Sequence, residues 1–131
     1  GLIDKLVQTL QTDDVDIKSE VVWGLANPTQ NALPHQFGIL AEKGALMALS
    51  GLLNQLSSKG LIVAMEGIEN FLKMGQQHFI GKDGENLFAL ELERCGGVDM
   101  LEDLQTHKNR EIYERAVRLL ETYYNLEVGG E

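Results

Sequence analysis

The chain has 131 residues, 44% of them apolar, and sets eleven Lys and Arg against twenty Asp and Glu for a formal charge of −9. That length and apolar share suffice for one domain with a buried core and exclude a disordered segment, while the negative balance argues against nucleic acid or an anionic membrane and favours basic partners. Cys95 is the single cysteine, which leaves no disulfide framework or multi-cysteine metal site and points to a reducing compartment; no apolar run approaches the roughly 18 residues of a membrane span.

Leu2, Ile3, Leu6, Val7 and Leu10 recur at helical spacing and predict a short first helix, with Asp14 or Asp16 available to cap the next. No signal peptide precedes that helix, and Gly1 stands where a natural start has Met, so the chain reads as a piece of something longer. Over residues 16–27, DIKSEVVWGLAN, two stripes run along one helix. Ile17, Val21 and Leu25, flanked by Val22 and Ala26, form the core face. Asp16, Glu20, Trp23, Gly24 and Asn27 gather on the opposite side, which puts the only tryptophan among carboxylates and an amide. Two readings stay open. Trp23 packs like most helical tryptophans, or it lines a shallow groove for an extended basic peptide. In the second, the indole stacks on a Lys or Arg stem, the Asn27 amide bonds backbone and the acids draw in charge.

Pro28 ends this helix, and a polar loop, PTQN, is expected after it. Residues 32–43 predict another helix, with Pro34 in its first turn and Gly44 as a left-handed stop. Leu46, Leu49, Leu52 and Leu53 predict a second, closed by the turn NQLSSKG. A third spans residues 61–74 and is expected to end at Gly75. From Glu85 the order recurs: a helix through Cys95, a break at Gly96-Gly97, a short helix over residues 98–105 and a long one over residues 109–124, followed by an acidic tail containing glycine. The recurrence is a repeat. Gly1-Leu2-Ile3 aligns with Gly44-Ala45-Leu46, and at that offset Trp23, Gly24 and Asn27 fall on Glu66, Gly67 and Asn70. A three-helix repeat of roughly 40 to 47 residues has the armadillo period. Before the last unit about ten extra residues enter, placed in QQHFIGKDGEN as a surface loop where insertions cost little. The units are read as 1–30, lacking a first helix, then 31–75, then 76–131 with the tail. Each has an apolar face that only stacking covers, so Leu2 and Leu6 are expected to be partly uncovered.

No catalytic set emerges. His35, His78 and His107 fall in different stretches without Cys or helical His partners and read as surface or loop residues. Gly81-Lys82-Asp83-Gly84 lacks the Gly-Lys-Ser/Thr ending of a phosphate loop and is a turn. Asp13-Asp14 lacks the spacing of a calcium loop and reads as a solvated cap. Cys95 reads as a buried small hydrophobe, since Arg94 alone does not activate a thiol. Neither enzyme activity, nor a cofactor, nor a metal is expected.

With SEVVWGLAN as a third helix, the sequence resembles importin-α (karyopherin-α), the adaptor for nuclear import signals, through the WxxxN spacing. The stretch ELERCGGVDMLEDLQTHKNREIYERAVRLLETYY resembles that family's last armadillo repeat, including the CGG break and the L-Q-x-H turn. The resemblance covers the chain from the second helix of the eighth repeat through the tenth. It implies an all-α armadillo solenoid, a right-handed superhelix of about eight helices, that reads basic nuclear localisation signals and shuttles between cytoplasm and nucleus. Trp23 and Asn27 then match the family's last Trp-Asn pair, in the minor signal site, with Glu20 one turn before. The next unit departs, with Glu66 in the tryptophan position, yet keeps Asn70. The third has Val117 and Glu121 there, or Arg118 and Thr122 one register on. Asn27-Pro28 replaces the family's small-residue loop. Repeats for the major site and the segment that binds importin-β are absent from this stretch. A second reading of the residues is an armadillo or HEAT scaffold, of the β-catenin or co-chaperone kind, that does not read import signals.

In the short helix after Gly97, Val98, Leu101 and Leu104 are expected to face the core, leaving Asp99, Glu102 and Asp103 together on the other side. Such a face is either solvated charge or a docking surface. The partners that the resemblance implies for it are the nuclear export receptor with Ran-GTP and basic nucleoporin segments.

Overall fold

A computed structural model of the chain describes residues 23, 24, 26–30, 32–53, 56 and 58–124. The expected first helix, Glu20 with the start of the Trp23 helix, and the tail after Tyr124 lie outside these residues. Trp23, Gly24 and Ala26 are helical and lead into a 3-10 turn, Asn27–Gln30. The expected polar loop after Pro28 is thus a helical turn, held because the Thr29 hydroxyl donates to the Ala26 carbonyl at 2.5 Å.

Six α-helices follow: α1 Pro34–Glu42, α2 Ala45–Gly51, α3 Ser58–His78, α4 Leu87–Arg94, α5 Gly97–Asp103 and α6 Arg110–Tyr124. Pro34 opens α1, where its missing N–H costs nothing, and the Gln36 side chain reaches back to accept from the Leu33 N–H at 2.7 Å. Gly44 (φ 89°) and Gly96 (φ 81°) occupy the left-handed region at the ends of α1 and α4. Each sits at the same corner of its three-helix set, and each lets the next short helix turn back at once. After α5 the chain tightens into a 3-10 turn, Leu104–Thr106, and the Asn109 side chain then accepts from the Glu111 and Ile112 N–H groups to cap α6. Among the described residues there is no strand. An isolated antiparallel bridge joins Ile80 and Asn86.

Helix α3 is the spine and packs on α1, α2, α4, α6 and the Asn27–Gln30 turn. Along it, Phe71 stacks edge-on with Phe37 of α1 (centroids 5.1 Å apart) and with Phe88 of α4 (5.4 Å), and Phe88 in turn meets Phe79 at 4.6 Å. Leu46, Leu49, Leu72, Leu92, Leu101, Ile112 and Leu120 fill the space around this aromatic row.

Four further expectations need correction. Helix α3 begins at Ser58, taking up the end of the predicted turn NQLSSKG, and runs on to His78. Gly75 lies inside it: a Cβ there would come within 2.0 Å of the Asn86 Oδ1, so the glycine serves a close approach and not a helix end. Leu52 and Leu53 follow α2, which ends at Gly51, although both are buried. Cys95 is half-buried, not buried. Burial first, then the neighbouring Glu91 carboxylate, push its thiol up, away from the thiolate form.

Candidate functional site

The described part of the first candidate surface begins at Trp23. Ala26 is buried (4% exposed), while the Trp23 indole, one turn earlier, is 40% exposed. Gly67 of α3 sits against Ala26, its missing Cβ only 3.1 Å from the Ala26 Cβ, so the Trp23 segment and α3 cross closely. That contact sets Trp23 beside the next third helix, with Glu66 and Asn70 further along. Asn27 opens the 3-10 turn.

Glu66 and Asn70 both have partners within the chain. The Asn70 Nδ2 donates to the Thr29 hydroxyl at 2.9 Å, tying α3 to the 3-10 turn. Thr29 is buried and its hydroxyl donates in turn to the Ala26 carbonyl, so the amide ends a short chain of bonds that fixes the turn's path. Glu66 is faced by Arg115 of α6, with its Oε1 3.6 Å from the Arg115 Nη2. One turn on, the Glu69 Oε1 lies 3.5 Å from the Arg118 Nη2. Tyr123 completes this corner. Burial first, then the Glu69 carboxylate, raise its phenol, with Arg118 opposing them.

Sequence reasoning missed the two arginines as partners, although a signal was present. Glu66 and Glu69 are three apart on one third helix, and Arg115 and Arg118 are three apart on the next, so stacked helices bring like spacings into register. Thr29 gave no such signal, because its role depends on the 3-10 turn.

The second candidate surface lies on α5. Leu101 and Leu104 are buried and Val98 partly so, while Asp99, Glu102 and Asp103 are all exposed. Asp99 and Glu102, with Glu93, Val98 and Tyr124, border an open hollow of about 540 Å³. Tyr124 anchors its floor by donating its hydroxyl to the Ala89 carbonyl at 2.8 Å. Burial and Glu93 raise that phenol well above its usual range, so it remains a donor. Asp103 does not border the hollow. His35 and His78 are exposed, and the His107 Nδ1 accepts from the Asn109 N–H at 3.0 Å. Among the described residues no three His, Cys, Asp or Glu side chains converge as metal ligands, and no helix is long and apolar enough to cross a membrane.

These features can be set beside known proteins. The family model described as an atypical Arm repeat matches residues 86–130. The chain is 33% identical to importin subunit alpha-5 of Arabidopsis thaliana over 130 residues, covering 99% of this chain and 25% of that protein. It is 36% identical to importin subunit alpha-1b of Oryza sativa subsp. japonica over 125 residues, covering 95% of this chain and 23% of the relative. The chain therefore spans about a quarter of the length of these relatives. Among solved structures, a designed armadillo repeat protein in complex with the peptide (KR)4 superposes with a TM-score of 0.73 at 30% identity, covering 92% of this chain and 46% of that one. With α1–α3 and α4–α6 stacked in repeating order and similarity running the length of the sequence, the chain is an armadillo-repeat solenoid homologous to the importin α subunits.

Proposed function

We propose that the chain contributes to recognition of extended basic segments, the nuclear localisation signals of cargo proteins, on the surface that begins at Trp23. The observation that carries this reading is the exposed indole of Trp23, one turn before the buried Ala26, in a chain with nine more acidic than basic residues. An indole face left in water is a platform for a Lys or Arg side chain. Glu20 and Asn27 flank it in the sequence, and Glu66 and Asn70 continue the same register on α3. Support comes from the designed armadillo repeat protein with its bound (KR)4 peptide, which has this fold and carries alternating Lys and Arg.

Titration with a (KR)4 peptide tests the reading. Trp23→Ala is expected to weaken binding by about 0.5 to 2 kcal/mol, the range of one cation–π contact; each 1.4 kcal/mol is about tenfold in Kd. Equal binding by the variant and the parent chain would remove Trp23 from the site.

Homology to importin α subunits supports shuttling between cytoplasm and nucleus as the setting for this activity, and the exposed α5 carboxylates as the face for an export receptor with Ran-GTP or for basic nucleoporin segments. Importin-β enters this proposal as a partner of the longer relatives. Reversing Asp99, Glu102 and Asp103 to Lys is expected to leave helicity intact, because all three are exposed, and to slow association with the export receptor most at low salt. Unchanged association rates in a folded triple variant would leave the face as solvated charge.

A further inference from the structure

Helix α3 presents Glu66 and Glu69 one turn apart beside the Trp23 segment, the arrangement that draws Lys and Arg side chains from an extended segment. In this chain two guanidinium groups already stand over them. Arg115 lies 3.6 Å from Glu66 and is also held from below by Glu111 of its own helix, Nε to Oε2 3.2 Å. It is only 23% exposed, so its position is fixed by packing as well as by charge. Arg118 lies 3.5 Å from Glu69, which is 18% exposed. Asn70, the next group along the helix, is held by Thr29.

Resting on the proposed recognition of basic segments, we propose that Arg115 and Arg118 are specificity-determining residues: they occupy from within the carboxylates that the basic side chains of a bound segment would otherwise engage, and so confine recognition to the Trp23 end of the surface. An intramolecular guanidinium offers Glu66 and Glu69 the same chemistry as a peptide arginine, and it does so without the translational entropy that a separate molecule loses on binding. A segment that extends over α3 must displace one partner for each it supplies. Its net gain there is small, whereas at Trp23 nothing basic among the described residues competes for the indole.

The test uses the whole chain and the (KR)4 peptide, with binding followed by fluorescence anisotropy at low and moderate salt. Arg115→Gln with Arg118→Gln keeps most of each stem and is checked for folding by circular dichroism. This double variant is expected to bind about three- to tenfold more tightly, the effect of freeing two partly exposed carboxylates, and with a steeper salt dependence. Adding Glu66→Gln and Glu69→Gln should abolish the gain. Lys82→Gln with Arg94→Gln changes the net charge equally at exposed positions off α3 and α6 and should reproduce little of it. No gain in the folded double variant overturns the proposal. So does a gain that survives loss of Glu66 and Glu69, or one matched by the Lys82 and Arg94 variant, since that would be the field of the whole molecule. Trp23→Ala in the parent chain reads the Trp23 site separately: if it is silent, the confinement of recognition to the Trp23 end is overturned even where the double variant gains, and if it weakens binding while the double variant gains nothing, the Trp23 site stands and the proposal falls.

Discussion

Replacing Phe71 by alanine is expected to have the largest effect of any single substitution described for this chain. Phe71 is fully buried in the second half of α3 and joins Phe37 on one side to Phe88 on the other, both edge-on. Truncating a core phenylalanine costs about 3 to 5 kcal/mol through lost burial and the cavity left behind. The two ring contacts add about 0.5 to 1.5 kcal/mol each. A domain's whole stability is about 5 to 15 kcal/mol. Urea unfolding followed by circular dichroism should therefore show the Phe71→Ala chain unfolded or close to its midpoint in water, while Phe71→Leu, which refills part of the volume, remains folded. A midpoint for Phe71→Ala within error of the parent would mean that α1 and α4 hold to α3 by other means.

Gly75→Ala is expected to destabilise the chain, against the ordinary sign. Within a helix this change normally stabilises by up to about 1 kcal/mol. Here the added methyl would occupy the space of the Asn86 carboxamide. That carboxamide makes three bonds: its Oδ1 accepts from the Phe88 and Ala89 N–H groups at 3.0 and 3.1 Å, and its Nδ2 donates to the Leu72 carbonyl at 2.8 Å. Loss of an N-cap alone costs about 0.5 to 2 kcal/mol, and the cross-helix bond about 1 kcal/mol more. We expect a net loss of about 0.5 to 3 kcal/mol on these magnitudes. The sign is checked by a double-mutant cycle. In an Asn86→Ala background the methyl has room, and Gly75→Ala should become neutral or stabilising. A destabilisation of equal size in both backgrounds would mean that Asn86 is not what excludes the side chain.

These two positions mark where the sequence could and could not be read. Leucine and isoleucine spacings placed the helices because each helix carries its own apolar stripe, and Gly44 and Gly96 placed two corners because a left-handed residue is a local need. Gly75 looked the same in the sequence and means something different. Its reason lies eleven residues on, in Asn86, and a close approach between elements leaves no local trace. The phenylalanine row was not legible either, since nothing in the spacing of Phe37, Phe71, Phe79 and Phe88 shows that three helices and a loop converge. At the candidate site, the helical period grouped Trp23 with Glu20 and Asn27, away from Ile17, Val21 and Leu25, but whether the indole packs or faces water was not legible. The engagement of Glu66 by Arg115 did not, because it depends on how far α6 is shifted along α3. The alternative registers of Val117 and Arg118 in the sequence reflect that missing offset.

The loop between α3 and α4 carries one more implication. Ile80 and Asn86 pair across it, the Gly81 N–H donates to the Glu85 carbonyl at 2.8 Å, and the Leu87 N–H donates to the Phe79 carbonyl at 2.9 Å. Lys82, Asp83 and Gly84 form its exposed tip. The two ends are thus stapled together independently of the tip, so closure entropy grows only slowly with any residues added there. For protein engineering this makes the Lys82–Gly84 tip a graft point: a tag, an epitope or a reporter domain can be carried on the solenoid there while the stacking of α4 on α3 is left as it is.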